Sequence, residues 1–434
     1  MSVEISTQPV LPAAARQTFG DVFADGTQLQ LIRKDRFALP EILLWDGRSA
    51  TTGTKVEHLG QIYQPGRLHP TVLQNVHLPT QVAPYGSIKD LFAEICNAFL
   101  THFNVSDSGA ALLTGSAITT WFTESLPIAP CISVATSTPT QAVLLMRFLA
   151  CFCYHPLLLG SLSTNGFLSL PLQLTPTLII HESGLSKKAS TLLNASNYRG
   201  LPVHKSERLL DLYCAKAIVG QHHATFLENA IQVTIDPPRP LQISSFDERA
   251  EAELVKQFQS RLLMYRLENR ERVVSSCFDV PDFISPTREI ARNLGKCLLD
   301  DELQQKVYAL LRDQDNELRG TRSLDFPATV IETLLAFCHE DGTASVHVKE
   351  IALGARTILE ARGENAELSY ERTGLILKNL GLHTVKLDRD GKGLLLVNET
   401  KRRIHQVAAR YSIETSAPKG SAICQHCAED ESGT

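Results

Sequence analysis

Residues 131–153, CISVATSTPTQAVLLMRFLACFC, hold a short apolar run, a polar stretch and a longer apolar run in succession. We interpret the first run as a strand, TSTPTQ as a loop and the last run as a helix. The alternation continues further along the chain, with strands predicted at PLLLGSL, PTLIIHES, DLYCAKAIVG and AIQVTI. Short apolar strands that alternate with helices are typical of a parallel sheet covered on both faces. The sequence therefore predicts an α/β fold.

Charged residues are nearly absent from the first part of this region. Between Ser125 and His181 the only Lys, Arg, Asp or Glu is Arg147. The longest apolar run there, residues 142–154, contains Arg147 and is too short for a bilayer, which needs about 20 residues. We expect burial in a sheet core and no membrane contact. The chain of 434 residues has 47 acids and 42 bases, a net charge of −5, which excludes a polybasic nucleic-acid binder for the chain as a whole.

The 10 cysteines follow no regular spacing, and several lie in apolar surroundings. This usage predicts reduced thiols and a cytoplasmic protein. Cys424 and Cys427 have the C-x₂-C spacing of a metal knuckle, but a structural zinc site needs four ligands. We therefore predict no metal site in the chain.

Composition and turn signals divide the chain into segments. An Asp46-Gly47 turn between apolar runs predicts a hairpin near the start. After the sheet region, charged amphipathic helices precede a compact module of three helices, a hairpin and a closing helix, which is the order of a winged helix-turn-helix. The predicted segments are disordered residues 1–20, a β-rich unit at 21–84, the α/β core at 85–240, a helical segment at 241–325, a winged helix at 326–412 and a flexible tail at 413–434.

The stretch 135–142 has the spacing of a phosphate-binding loop without its residues. In the motif G-x-x-x-x-G-K-[ST], backbone N–H groups surround the phosphates, the Lys neutralises them and the hydroxyl binds Mg²⁺. Here Gln141 stands for the Lys and Ala142 for the hydroxyl residue. Ala135 and Thr140 replace the glycines. The predicted remnant of the loop comprises Ala135, Ser137, Thr138, Thr140, Gln141 and Ala142.

A second motif follows about 35 residues later, where TLIIHES matches the acidic second strand of P-loop enzymes. His181 replaces the acid that organises the metal, and Glu182 keeps the second acid. This order resembles the P-loop ATPase domain of helicase–primase-type proteins of phages and mobile elements, over about residues 85–240. Over most of the chain it is similar to an uncharacterised bacterial family with a β unit, a degenerate ATPase core and a winged helix.

The resemblance implies ATP and Mg²⁺ chemistry, but the residues that perform it are missing. The Lys, the Mg²⁺-binding hydroxyl, the metal-organising Asp and a basic finger near Asn229 are each absent at the matching positions. Without them phosphoryl transfer loses most of its electrostatic stabilisation. We predict no cofactor and no catalytic residue, with Glu182 as the one remaining candidate.

The predicted winged helix carries the candidate DNA contacts. Its third helix, YERTGLILKNL, is the expected recognition helix, with Leu375, Ile376 and Leu380 facing inward. Between Lys349 and Arg410 the chain has 12 bases and 8 acids, a local excess that favours nucleic-acid contact. The residues expected to contact DNA are Tyr370, Arg372, Lys378, Arg389, Lys392, Lys401, Arg402 and Arg403.

The combined pattern predicts a non-hydrolysing, helicase-like protein that associates with DNA or acts as a scaffold in a replication or mobile-element system. Protein partners are expected, and the oligomeric state is not predicted. Two alternatives stay open at this point. One is an enzyme that binds ATP and Mg²⁺ through an atypical loop, and the other is a regulator that binds proteins through its winged helix.

Overall fold

The computed structural model describes residues 15–205, 208–224, 226–227, 229–237, 246–283, 286–340, 342–362, 368–389, 391–411 and 413. The chain divides into two compact units, Met1–Leu311 and Arg312–Thr434.

The first unit opens with short strands in two small sheets, ordered β1-β7-β6 and β2-β3-β4-β5. The strands are β1 Arg16–Thr18, β2 Gly20–Val22, β3 Gln28–Ile32, β4 Glu41–Trp45, β5 Ala50–Gly53, β6 Val56–His58 and β7 Gln61–Pro65. Across the Asp46-Gly47 turn, β4 pairs with β5, so the predicted hairpin is present. Strand β5, ATTG, was not predicted because it is largely exposed and lacks the apolar alternation of a half-buried strand.

A five-stranded, fully parallel sheet follows, with strand order β14-β8-β13-β10-β9. Numbered along the chain, its strands run in the order 5-1-4-3-2, which is consistent with a P-loop NTPase-like core. The predicted α/β fold is confirmed. The elements of this region are α1 Pro70–Asn75, α2 Ile88–His102, α3 Asp107–Thr120, β8 Cys131–Thr136, α4 Pro139–Ala150, β9 Pro156–Leu159, α5 Thr164–Leu168, β10 Thr177–His181, α6 Lys187–Ala195, β11 Val203–Lys205, β12 Arg208–Leu210, β13 Ala215–Gly220 and β14 Ile231–Ile235.

Burial explains why this sheet has so few charges. Every residue of β8 and β13 is buried, so neither face of these strands meets water. Arg147 lies on α4, and its guanidinium binds Glu251 at 2.5 Å. None of the described helices is long and apolar enough to span a bilayer.

Three long helices end the first unit and lead into the second. They are α7 Glu248–Ser275, α8 Thr287–Leu298 and α9 Asp301–Leu324. Glu251 belongs to α7, which packs Phe258, Leu262 and Leu263 into the core of the first unit. The division between the units falls inside α9, whereas the sequence placed a boundary after residue 325.

The second unit has the predicted order of three helices, a hairpin and a closing helix. Its elements are α10 Phe326–His339, β15 Ser345–His347, α11 Val348–Ala361, α12 Tyr370–Asn379, β16 Val385–Lys386, β17 Lys392–Leu395 and α13 Asn398–Arg410. Strand β15 joins the hairpin in an antiparallel sheet ordered β15-β17-β16. This third strand was not predicted because it is only three residues long.

The inward face of α12 differs from the prediction. Thr373 and Leu377 are buried, whereas Leu375 is 57% exposed. Residues four apart share a helix face, and residues two apart point to nearly opposite sides. The prediction that Leu375 packs inward is therefore wrong, and this leucine lies on the outer face of the helix.

Candidate functional site

The carboxyl edge of the parallel sheet is the first candidate site, because ligands of open α/β sheets bind there. Strand β8 continues to Thr136, and α4 begins at Pro139. The connection between them is only Ser137 and Thr138. The predicted eight-residue loop at 135–142 is therefore wrong in extent. Thr138 caps the helix by accepting the Gln141 N–H at 3.2 Å, and proline is favoured at the first helical position.

Gln141, at the position of the motif Lys, closes this connection. Its side chain is buried. Its Oε1 accepts hydrogen bonds from the Ser137 N–H at 3.1 Å and from the Ser137 hydroxyl at 2.8 Å. Its Nε2 donates to the carbonyl of Asp236, directly after β14, at 2.9 Å. The neutral Gln141 side chain thus accepts the hydrogen bond of the Ser137 N–H, a backbone donor just before a helix of the kind that binds phosphate.

Other residues in and next to this stretch also form hydrogen bonds within the protein. The Ala142 N–H donates to the carbonyl of Thr138 at 3.1 Å, and Pro139 has no N–H to offer. Thr136 donates its hydroxyl to the carbonyl of Gly220 at 3.0 Å, which joins β8 to β13. Ala135 and Ala142 are buried, while Thr140 is exposed. The backbone N–H groups of Ser137, Gln141 and Ala142 thus all have partners within the protein.

The two remnants of the acidic strand reach the same edge of the sheet. Glu182 directly follows β10 and packs against Gly220, where a Cβ atom would collide with its side chain. Its Oε2 accepts the His222 N–H at 3.4 Å. The Nδ1 of His181 contacts the Ser183 hydroxyl at 2.7 Å. Among the described residues, no group of three His, Cys, Asp or Glu side chains could hold a metal ion.

The edge also gains no positive charge from His223. Burial lowers the pKa of this imidazole, so it stays neutral near pH 7. Its Nε2 lies 3.2 Å from the Thr234 hydroxyl of β14. Glu182 therefore lies at the carboxyl edge of the sheet, against Gly220, without a metal site among the described residues or a charged histidine at His223. Cys424 and Cys427 lie outside the described residues.

The second candidate site is a groove of about 750 Å³ in the second unit. It runs between α12, the hairpin β16–β17 and the start of α11, and we call it the α12 groove. Lys349, Lys378 and Lys392 are its cationic side chains, and Glu371 is its acid. Tyr370 and Leu375 also line the groove and are 54% and 57% exposed.

The α12 groove contains three of the eight predicted DNA contacts: Tyr370, Lys378 and Lys392. Arg389 is exposed in the hairpin segment next to them.

The other four residues do not line the groove. Arg372 stacks over the ring of Phe326 at 4.3 Å. Lys401 donates to the carbonyl of Cys338, in the last turn of α10, at 3.2 Å. Arg402 pairs with Glu399 at 2.7 Å, and Arg403 lies against Gly381 at the end of α12.

Three groove residues were missed by sequence reasoning. Lys349 stands in the first turn of α11, His347 caps that helix, and His383 lies just before β16. His347 also binds Asp388 of the hairpin at 3.1 Å. These residues meet because β15 pairs with β17, and so short a strand gives little signal in the sequence. A lysine in the first turn of a helix, where acids are favoured, was the available hint.

Comparisons with known proteins add weak structural similarities. No family model matches the chain, and no curated protein resembles it in sequence. The A-form apo structure of the NrS-1 C-terminal region is 9% identical, with a TM-score of 0.33, covering 85% of this chain and 96% of that one.

Two further structures share less of the geometry. Drosophila ORC bound to DNA is 12% identical, with a TM-score of 0.19 and coverage of 76% and 89%. Cdc6p from Pyrobaculum aerophilum is 13% identical, with a TM-score of 0.16 and coverage of 65% and 79%. Similarity at this level does not assign a function to the chain.

Proposed function

We propose that this protein is a DNA-associated scaffold of replication or mobile-element type. In this proposal its ATPase-like core has lost nucleotide turnover, and its second unit is a winged helix that binds DNA through the α12 groove. We further propose a cytoplasmic location, since none of the eight cysteines among the described residues forms a disulfide.

The amide of Gln141 is the observation that carries the first part of the proposal. It accepts the Ser137 N–H and contacts the Asp236 carbonyl, so a triphosphate would have to displace three hydrogen bonds of one buried side chain. A P-loop Lys would instead supply positive charge to the phosphates. Loss of that charge and of the Mg²⁺ ligands removes the main source of catalysis in phosphoryl transfer.

Nucleotide chemistry is tested on the full chain with millimolar ATP and Mg²⁺. Binding is measured by calorimetry and turnover by phosphate release, with Glu182→Gln as the matched variant. We expect no binding heat and the same background phosphate release from both proteins. Turnover that falls with Glu182→Gln would favour the rival reading, an enzyme with an atypical nucleotide loop.

The arrangement of α12 and the hairpin supports the second part of the proposal. A winged helix presents the N-terminal residues of its third helix to base edges and its hairpin to the phosphates. Here Tyr370 opens α12, and Lys392 opens β17. Lys349, Lys378 and Lys392 are all exposed, and the structure gives them no ion pair among the described residues. Such lysines can replace counterions along a duplex.

DNA binding is tested by fluorescence anisotropy of the full chain with a labelled duplex at several salt concentrations. We expect the logarithm of the affinity to fall linearly with the logarithm of the salt concentration. Absence of binding at low salt would reject the DNA role. The outcome would then favour a second candidate, a protein-binding regulator, for which the exposed Tyr370 and Leu375 provide a specific observation.

A further inference from the structure

The α12 groove combines two kinds of surface that a phosphate backbone alone does not need. Its lining includes Lys349, Lys378 and Lys392, and it exposes Tyr370 and Leu375. Lysines suit any anion, but an exposed leucine and an exposed aromatic ring in the same groove favour a ligand with apolar side chains. The groove therefore fits a peptide that carries both acids and apolar residues.

The chain itself contains such a peptide directly after Ile413, the last described residue of the second unit. Residues 414–434 read ETSAPKGSAICQHCAEDESGT, with four acids and one lysine. Three of the acids are consecutive, Glu429, Asp430 and Glu431, and Ile423 supplies a large apolar side chain before them. The groove has the opposite balance, with three lysines and one glutamate among its lining residues. The two charges are complementary.

The connection is long enough for this peptide to reach the groove. Ile413, the last described residue, packs against the core of the second unit, and its N–H donates to the Ala408 carbonyl. Glu429 follows 16 residues later, and that length of chain spans up to about 54 Å when extended. A unit of this size has a radius of gyration of about 13 Å, so its whole surface lies within reach.

We propose that residues 414–434 occupy the α12 groove of the same molecule. The three consecutive acids lie against the three lysines of the groove, and the apolar residues before them cover Tyr370 and Leu375. This inference rests on the proposed function for one consequence, namely that the segment competes with DNA. Occupation of the groove itself does not depend on whether the protein binds DNA.

Photo-crosslinking in the full chain tests the proposal directly. A photoreactive phenylalanine analogue replaces Leu375 in the groove or, as the control, Leu353, which is 64% exposed on α11 and does not line the groove. We expect crosslinks from position 375 to peptides of residues 414–434, within one molecule, and none from position 353. Absence of these crosslinks, equal crosslinking from both positions, or crosslinks only between two molecules would overturn the proposal.

Neutralising the acids tests the role of charge. The combined variant Glu429→Gln, Asp430→Asn and Glu431→Gln should lower the crosslink yield from position 375 by about tenfold, because it removes three ion pairs at an exposed site. An unchanged yield would overturn the electrostatic pairing. In the DNA assay the same variant should bind the duplex up to about tenfold more tightly, because the groove is no longer occupied.

The two assays separate the two proposals. Crosslinks from position 375, together with absence of DNA binding by both the parent and the neutralised variant, would support the occupied groove and reject the proposed function. If instead the protein shows no such crosslinks and the parent and the neutralised variant bind DNA equally well, the proposed function would be supported and the occupied groove rejected.

Discussion

The parallel-sheet unit and the α12 groove differ in whether particular polar side chains are buried and bonded or exposed to solvent. In the sheet unit, two buried polar side chains bond to neighbours inside the protein: Gln141 bonds Ser137, and Lys216 donates to Asn197 at 2.5 Å. In the groove, Lys378 and Lys392 are exposed beside apolar surface. The first region is closed on itself, and the second is open to a ligand.

The chain can bind a ligand only where its polar groups remain accessible. A site that binds phosphate needs hydrogen-bond donors that are free when the ligand arrives. At the carboxyl edge of the sheet, backbone donors such as the Ser137 N–H already bond to groups of the protein. An interface needs exposed charge and apolar surface together, which the groove provides. In our proposal, the sheet unit is a scaffold and the groove is the recognition surface. The following experiments challenge each half of it.

The largest expected effect follows from breaking a buried ion pair of the sheet unit. The Arg266 guanidinium is 4% exposed and binds Glu124 at 2.9 Å. Replacing Glu124 with glutamine leaves this charge buried without a carboxylate, and should lower the free energy of unfolding by about 3–5 kcal/mol. Chemical denaturation of the full chain measures the loss. Glu253→Gln is the control, because its pair with Arg249 is exposed and contributes about 0.5 kcal/mol.

Charge reversal in the groove gives the next largest effect. Lys378→Glu combined with Lys392→Glu should weaken duplex binding by about 100-fold at moderate salt and lower the salt slope by about 2. Arg402→Glu is the control, because Arg402 pairs with Glu399 and does not line the groove. Equal losses from both variants would show that binding follows net charge rather than the groove.

Removing the Gln141 amide has a moderate effect. Gln141→Ala takes away the acceptor of the Ser137 N–H and the donor to Asp236. It should lower the free energy of unfolding by about 1–3 kcal/mol, as expected for unsatisfied buried polar groups. Thr140→Ala, at an exposed position of the same helix turn, serves as the control. A Gln141→Ala protein as stable as the parent would mean that this side chain does not close the connection.

The smallest expected effect is a dependence of the unfolding free energy on acidic pH. Burial alone would raise the pKa of Glu124, but Arg266 and Arg270 outweigh it, so the pKa lies below its usual value. The ion pair therefore stabilises the fold above the unfolded pKa of about 4.3, and this stability is lost as the pH falls through the folded pKa. The difference in unfolding free energy between the parent and Glu124→Gln should shrink from pH 6 to pH 3. A constant difference would contradict the assigned ionisation.

Much of the fold was predictable because its signals are local. Strand β8, helix α2 with its Ser87 cap and the closing helices follow from apolar periodicity and capping residues. Pairings between distant short strands, such as β15 with β17, were not predictable, because two or three residues carry no periodicity. The groove depends on that pairing, so Lys349 and His383 were missed.

The loop shows a different limit of sequence reasoning. The spacing of 135–142 matched a motif, but spacing alone did not reveal that Pro139 starts the helix early. Nor could the sequence show that Gln141 folds back onto Ser137. The Thr138-Pro139 pair was an available local signal for the helix start, whereas the contact of Gln141 with Ser137 depends on three-dimensional packing at the end of the sheet.

The most direct test of the central claim is a crystal structure of the full chain grown with a non-hydrolysable ATP analogue and Mg²⁺. The closed sheet edge predicts no nucleotide at residues 135–142, with the Gln141 amide still bonded to Ser137 and Asp236. A triphosphate bound to the backbone N–H groups of this stretch, with Gln141 displaced and Mg²⁺ near Glu182, would contradict it.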